Sequence, residues 1–270
     1  MKVSRIAAVV GKELREFRAN PAAVLPVAIL MGLCITLPFL IVVAIPRMTG
    51  QTLAEDRAIR QVVLAVAQTS PQLTRLPFEA AVQAFLFQQF LLLFLIAPVV
   101  GAVTLAAHSV VGEKQGRTLE PLLTTPIATS ELLLAKVLAC VLPAVALEAV
   151  GLAGYGALVG VFAMPGVPAA LLSARSFVLV GLVGPLGALA ALQMTIAVSS
   201  RVNDPRSAQQ IAVLLILPVV AMLVGQIVGA FIITTPLLLL VALALAIVWL
   251  ILMLLSVALF DRETILTRWK

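Results

Sequence analysis

The stretch Pro236-Leu-Leu-Leu-Leu-Val-Ala-Leu-Ala-Leu-Ala-Ile-Val-Trp-Leu-Ile-Leu-Met-Leu-Leu-Ser-Val-Ala-Leu-Phe260 carries no charge, and its only hydroxyl is Ser256. A helix crossing about 30 Å of hydrocarbon needs about 20 mostly apolar residues. The segment therefore reads as a transmembrane helix, since a lone chain segment in lipid must satisfy its backbone hydrogen bonds internally. The rest of the sequence agrees. Of 270 residues, 62% are hydrophobic and 11% charged, and the mean hydropathy is +1.17. A soluble domain has about half its residues apolar and about a quarter charged. Disorder is excluded. So is a nucleic-acid-binding domain, because the cations behind the formal net charge of +6 flank the apolar runs instead of forming a basic patch. Cys34 and Cys140 are the only cysteines and both lie in apolar runs, which excludes a secreted disulfide scaffold.

Moving outward from this segment, five further apolar runs appear, over about 22–45, 84–111, 132–161, 176–199 and 210–233. With 236–260 they make six spans, and an even number puts both termini on one side. Short loops rich in Lys and Arg stay in the cytoplasm. Of the 18 Lys and Arg, thirteen (Lys2, Arg5, Lys12, Arg15, Arg18, Lys114, Arg117, Lys136, Arg201, Arg206, Arg262, Arg268 and Lys270) share a side with the termini. The remaining five are Arg47, Arg57, Arg60, Arg75 and Arg175. Both termini are therefore expected in the cytoplasm, with the chain multi-pass in the cell's inner (cytoplasmic) membrane. The fold class is an all-α polytopic membrane protein with one six-helix transmembrane domain over 21–270.

The segment 1–20 reads as an amphipathic interfacial helix. Ile6, Ala7, Val10, Leu14 and Phe17 recur at helical spacing, while Lys12, Glu13, Arg15, Glu16 and Arg18 cover the other face. Pro21 ends it. Its charged region is too long for a signal peptide, and no small-residue cleavage site follows a suitable apolar core. The external loop 46–83 is the longest stretch between spans. Within it Ile59, Val62, Val63 and Val66 form one apolar helical face, read as lying on the outer leaflet. No stretch fits a soluble domain of the usual 50 residues or more, so chemistry needing a water-soluble active site must come from another polypeptide.

Motifs for catalysis are absent from the sequence. His108 is the only histidine, which leaves no HExxH or paired-histidine zinc motif, and there is no GxSxG elbow. Gly112, Gly116, Arg117 and Thr118 only superficially resemble a phosphate loop, because the glycine spacing is too short and Arg stands where Lys must reach the phosphates. Glu148 is the one acidic residue deep in a span. With His108 it makes a candidate intramembrane polar site: an ion or proton site, an anchor in a substrate path, or a carboxyl bonded to a neighbouring helix. No charge pair is evident within the spans. Gly156 with Gly160, and Gly225 with Gly229, have the GxxxG spacing of helix-packing faces. Pro98, Pro143, Pro185 and Pro218 are expected to kink their spans.

The cytoplasmic loop 112–131 contains Gly112-Glu-Lys-Gln-Gly-Arg-Thr-Leu-Glu-Pro-Leu-Leu-Thr-Thr-Pro126. Thr118 can cap a short helix with Glu120 and Pro121 in its first turn, and Pro126 ends it. Such a helix displays Leu119, Leu122 and Leu123, and a mere connector has no reason to offer three leucines to the cytosol. A docking role follows.

These residues resemble the signature region of ABC-2 type permeases, the membrane subunits of one class of ATP-binding cassette exporter. The similarity lies in Gly112-Glu113-Lys114, Thr118-Leu119-Glu120, Leu122-Leu123, Pro126 and the run from Glu131 to Lys136. It continues in 200–210 (Ser-Arg-Val-Asn-Asp-Pro-Arg-Ser-Ala-Gln-Gln), in Pro218 and in Phe260 to Leu266, and the N-terminal helix is similar to the family's elbow helix. Gln115-Gly116-Arg117 departs from the commoner acidic, basic, glycine order. The resemblance implies an exporter permease that forms its path as a dimer, with a second copy or a different permease chain. It implies a coupling helix that contacts a separate ATPase subunit through Glu113, Arg117, Thr118, Leu119, Glu120, Leu122 and Leu123. No cofactor is expected in this chain, and ATP and Mg would be bound by the partner ATPase. The alternatives are an ion- or proton-coupled secondary transporter using Glu148, and a lipid-modifying membrane enzyme, for which there is no catalytic cluster.

Overall fold

The computed structural model describes residues 3–19, 21–50, 52–68, 70–115, 129–199, 210, 217–227 and 233–259. These are helical almost throughout, with short turns between helices. In chain order they are α1 (Val3–Ala19), α2 (Pro21–Phe39), α3 (Ile45–Thr49), α4 (Arg57–Ala67), α5 (Pro71–Thr74), α6 (Phe78–Phe94), α7 (Ile96–Gln115), α8 (Thr129–Phe162), α9 (Val167–Leu171), α10 (Ala174–Val178), α11 (Gly184–Ser199), α12 (Leu217–Ile227) and α13 (Thr235–Leu259). Single π-helical turns, Leu40–Ala44 and Leu179–Val183, join α2 to α3 and α10 to α11.

Five helical stretches among the described residues are long and apolar enough to cross a membrane: Val24–Thr49, Phe78–Ser109, Glu131–Phe162, Ala174–Val198 and Thr235–Ser256. Each matches one expected run. The remaining run, 210–233, lies partly outside the described residues and is helical over Leu217–Ile227. The second span starts earlier than expected, at Phe78 instead of near residue 84, so the end of the external loop belongs to a helix. Apolarity alone placed that boundary too late, because Glu79 and Gln83 interrupt the run without interrupting the helix.

Prolines shape the spans unequally. The break between α6 and α7 falls at Leu95, where Pro98 cannot donate to the Phe94 carbonyl and its ring crowds that turn. The π turn at Leu179–Val183 directly precedes Pro185, a common way to absorb a lost helical bond. Pro143 behaves differently: α8 runs through it without interruption. Pro218 lies in α12, whose described part is Leu217–Ile227.

The core has two main parts that meet near the Leu95 break. One packs Phe85, Phe87, Phe94 and Tyr155 with Val63, Val66 and Val167. The Tyr155 hydroxyl donates to the Phe87 carbonyl at 2.9 Å, and Gln88 Nε2 donates to the Ala170 carbonyl at 2.7 Å. The other packs Ala102, Ala106, Ala144 and Ala188 with Leu133, Leu192 and Ile196, the small residues letting helices approach closely in lipid. The α4 segment packs on the first of these parts, with Val63 and Val66 buried. The apolar face read from the sequence is the one that α4 turns to the protein.

Candidate functional site

The end of the bundle that carries α1 holds the proposed docking region. The described part of α7 runs to Gln115 and that of α8 starts at Thr129, and residues 116–128 lie between them in the chain. Arg117, Thr118, Leu119, Glu120, Leu122 and Leu123 lie outside the described residues. Glu113 falls in the last turn of α7, and its side chain lies outside them as well. The described structure contributes the frame of this loop.

That frame is polar and buried where the sequence predicted a simple amphipathic flank. In α1, Val9 packs with Leu132 and Ala135, and Phe17 with Leu105, Leu133 and Val137, as the apolar period requires. Glu13 does not sit on the solvated face. It is buried, and its Oε1 accepts from Lys136 Nζ at 3.0 Å. The same ammonium donates to Ser109 Oγ at 2.8 Å. The bundle thus contains a buried charge pair that sequence inspection missed, and Lys136 is not a solvent-facing topological cation. Helical period separates apolar from polar faces, but it cannot say which charged residue meets an opposite charge on another element. The one available signal was Lys136 standing four residues inside the apolar run 132–161. Around the pair, Arg5 lies 4.0 Å from Glu131 and Lys12 3.4 Å from Glu16.

Glu148 is 2% exposed and its Oε1 has no hydrogen-bond partner among the described residues. It presses against Gly184, just after the π turn, where a Cβ would stand 2.8 Å from Oε1. His108 is half-buried beside Ser109. Twelve residues of α8 separate Lys136, which contacts Ser109, from Glu148, or about 18 Å along a straight helix. The two members of the candidate intramembrane site are therefore at different depths and form no relay by direct contact.

The glycine pairs divide similarly. A Cβ built on Gly156 or Gly160 meets no described atom within 4 Å, so that pair packs against no described helix. Gly225 is half-buried in α12, while Gly229 lies outside the described residues. At the opposite end of the bundle, Arg47 Nη2 donates to the Phe162 carbonyl at 3.2 Å, joining the ends of the first and third spans. Beside it opens a groove of about 670 Å³ lined by Leu33, Leu37, Leu40, Met48, Leu158 and Phe162.

A comparison with curated proteins gives no match. The family model described as ABC-2 family transporter protein matches residues 7–258. The matched region takes in most of α1, the first five expected spans, nearly all of the sixth and the loop between α7 and α8, and on that extent the chain belongs to the ABC-2 transporter family.

Proposed function

We propose that this chain is the membrane-spanning permease subunit of an ATP-driven exporter, working as a dimer with separate ATPase subunits docked on loop 112–131. The carrying observation is the family match over 7–258. Family membership brings with it an ABC ATPase partner and a membrane setting. Thr118, Leu119, Glu120, Leu122 and Leu123, with Glu113 and Arg117, fit a charged rim around an apolar anchor, as transient interfaces are built. The partner binds ATP and Mg, and its nucleotide-dependent closure shifts the permease between conformations. Both termini and the docking loop face the cytoplasm. The apolar groove beside Arg47 suits an apolar or amphipathic compound entering from the bilayer.

The test is to tag the chain in its native host, extract it in mild detergent and identify the proteins that remain bound. An ATPase subunit should co-purify with the wild type and be lost from Leu122→Asp, because a carboxylate at the centre of an apolar anchor is left desolvated and unpaired. Absence of any ATPase under all mild conditions would sink the proposal.

A further inference from the structure

The proposed docking loop stands on two stalks, α7 and α8, and the structure links both to α1 through one side chain. Ser109 lies six residues before Gln115, the last described residue of α7, and Lys136 seven residues after Thr129, the first described residue of α8. The Lys136 ammonium bonds to Ser109 Oγ at 2.8 Å and to Glu13 Oε1 at 3.0 Å. Ser109, Lys136 and Glu13 are 5%, 2% and 0% exposed. Apolar contacts on either side, Val9 with Leu132 and Phe17 with Leu133, hold α1 along α8 while the ammonium fixes its register.

Stability is a poor explanation for such a pair. Desolvating two charges costs about as much as their attraction returns, and well-packed apolar replacements are often neutral or stabilising. What a buried charge pair supplies is directionality. Apolar side chains tolerate small slides past one another, whereas a slip of one helical residue, about 1.5 Å, breaks these bonds and strands a charge away from water.

We propose that Glu13, Lys136 and Ser109 are positioning residues for coupling: they lock α1, α7 and α8 into one unit at the base of the docking loop. A displacement of loop 116–128 is then delivered to the membrane helices instead of being lost as sliding between the stalks. This assignment rests on the docking proposal above. Lys12, whose Nζ lies 3.9 Å from Glu13 Oε1, and Arg5, 4.0 Å from the buried Glu131, are the more exposed cations here, and screening weakens their ion pairs.

The experiment uses the full-length permease reconstituted in liposomes with the ATPase that co-purifies with it. It reads ATPase retention, permease-stimulated ATP turnover and thermal stability together. The apolar pair Glu13→Leu with Lys136→Met should fold with undiminished stability and retain the ATPase, yet lose at least tenfold in stimulated turnover. Ser109→Ala should lose twofold to fivefold. The exchanged pair Glu13→Lys with Lys136→Glu should recover to within threefold of wild type. An apolar pair that keeps stimulation within twofold overturns the assignment. So does one that fails to fold or drops the ATPase, since the contact is then structural or part of the docking surface. If the wild type brings down no ATPase, the docking proposal itself has failed and this one falls with it. If the wild type retains the ATPase, Leu122→Asp loses it and the apolar pair behaves as wild type, only the locking role is refuted.

Discussion

A Cβ built on Gly101 would stand 3.3 Å from both Val27 Cγ1 and Ala144 Cβ, so α2, α7 and α8 come together where one residue lacks a side chain. Close approach of this kind replaces the hydrophobic force that is missing between helices in lipid. Gly101→Leu should force these helices apart and destabilise the fold by about 1–3 kcal/mol, the usual cost of overpacking. A lowered midpoint of thermal unfolding in detergent is the expected result, and an unchanged midpoint would refute the contact. Gly101 belongs to none of the GxxxG pairs in the sequence, whereas Gly156 and Gly160, which form one, meet no described helix. Spacing identifies a smooth strip on a helix, but the position of the neighbouring helix decides whether the strip is used. Glu13 and Lys136 follow the same logic, their charges being legible and their pairing across elements not.

At the scale of elements, α4 shows how much of a surface helix can be derived locally. Asp56 caps it, Oδ1 accepting from the backbone N–H of Ala58 at 2.8 Å and of Ile59 at 3.1 Å. Arg60 lies over the Phe78 ring, 5.2 Å from its centroid, and ties the helix to the start of α6. Removing the cap with Asp56→Ala should cost about 0.5–2 kcal/mol. Amide hydrogen exchange in the first turn of α4 should rise by about twofold to thirtyfold, with exchange in α6 unaffected. Equal acceleration in both helices would show that α4 does not open on its own. The prolines give a further lesson at this scale. Pro98 and Pro185 accompany a break and a π turn, yet α8 passes Pro143 uninterrupted. A missing N–H dictates that one bond is lost, and the packing around it decides how the helix adjusts.

For the whole molecule, burial separates the spans. In its most apolar window, Phe78–Ser109 is 78% buried and Thr235–Ser256 11%, so the second span is the central post of the bundle and the last lies at its periphery. Leu240, Leu243, Ile247, Leu250 and Leu254 of α13 point outward, as lipid-facing side chains of a multi-pass membrane protein should. The proposed orientation makes a direct prediction. In intact cells, Arg57→Cys should react with a membrane-impermeant maleimide, while Lys12→Cys should react only after the membrane is opened. The native Cys34 and Cys140 are buried and need not be removed. Labelling of position 12 from outside would invert the topology and put the docking loop beyond the reach of a cytoplasmic ATPase.

The sequence by itself determined that the chain is an all-helical membrane protein and where most of its spans run. Apolar length and the placement of charge are local properties, and the bilayer reads them span by span. It also carried the family resemblance, in the loop after the second span and in motifs spread along the chain. Only the tertiary structure decided that Glu13 turns inward to Lys136 and Ser109, that α4 docks on the core, and that Glu148 and His108 stand apart. Each of these depends on what a distant segment presents at the same depth and angle, which a helical period along one segment does not encode.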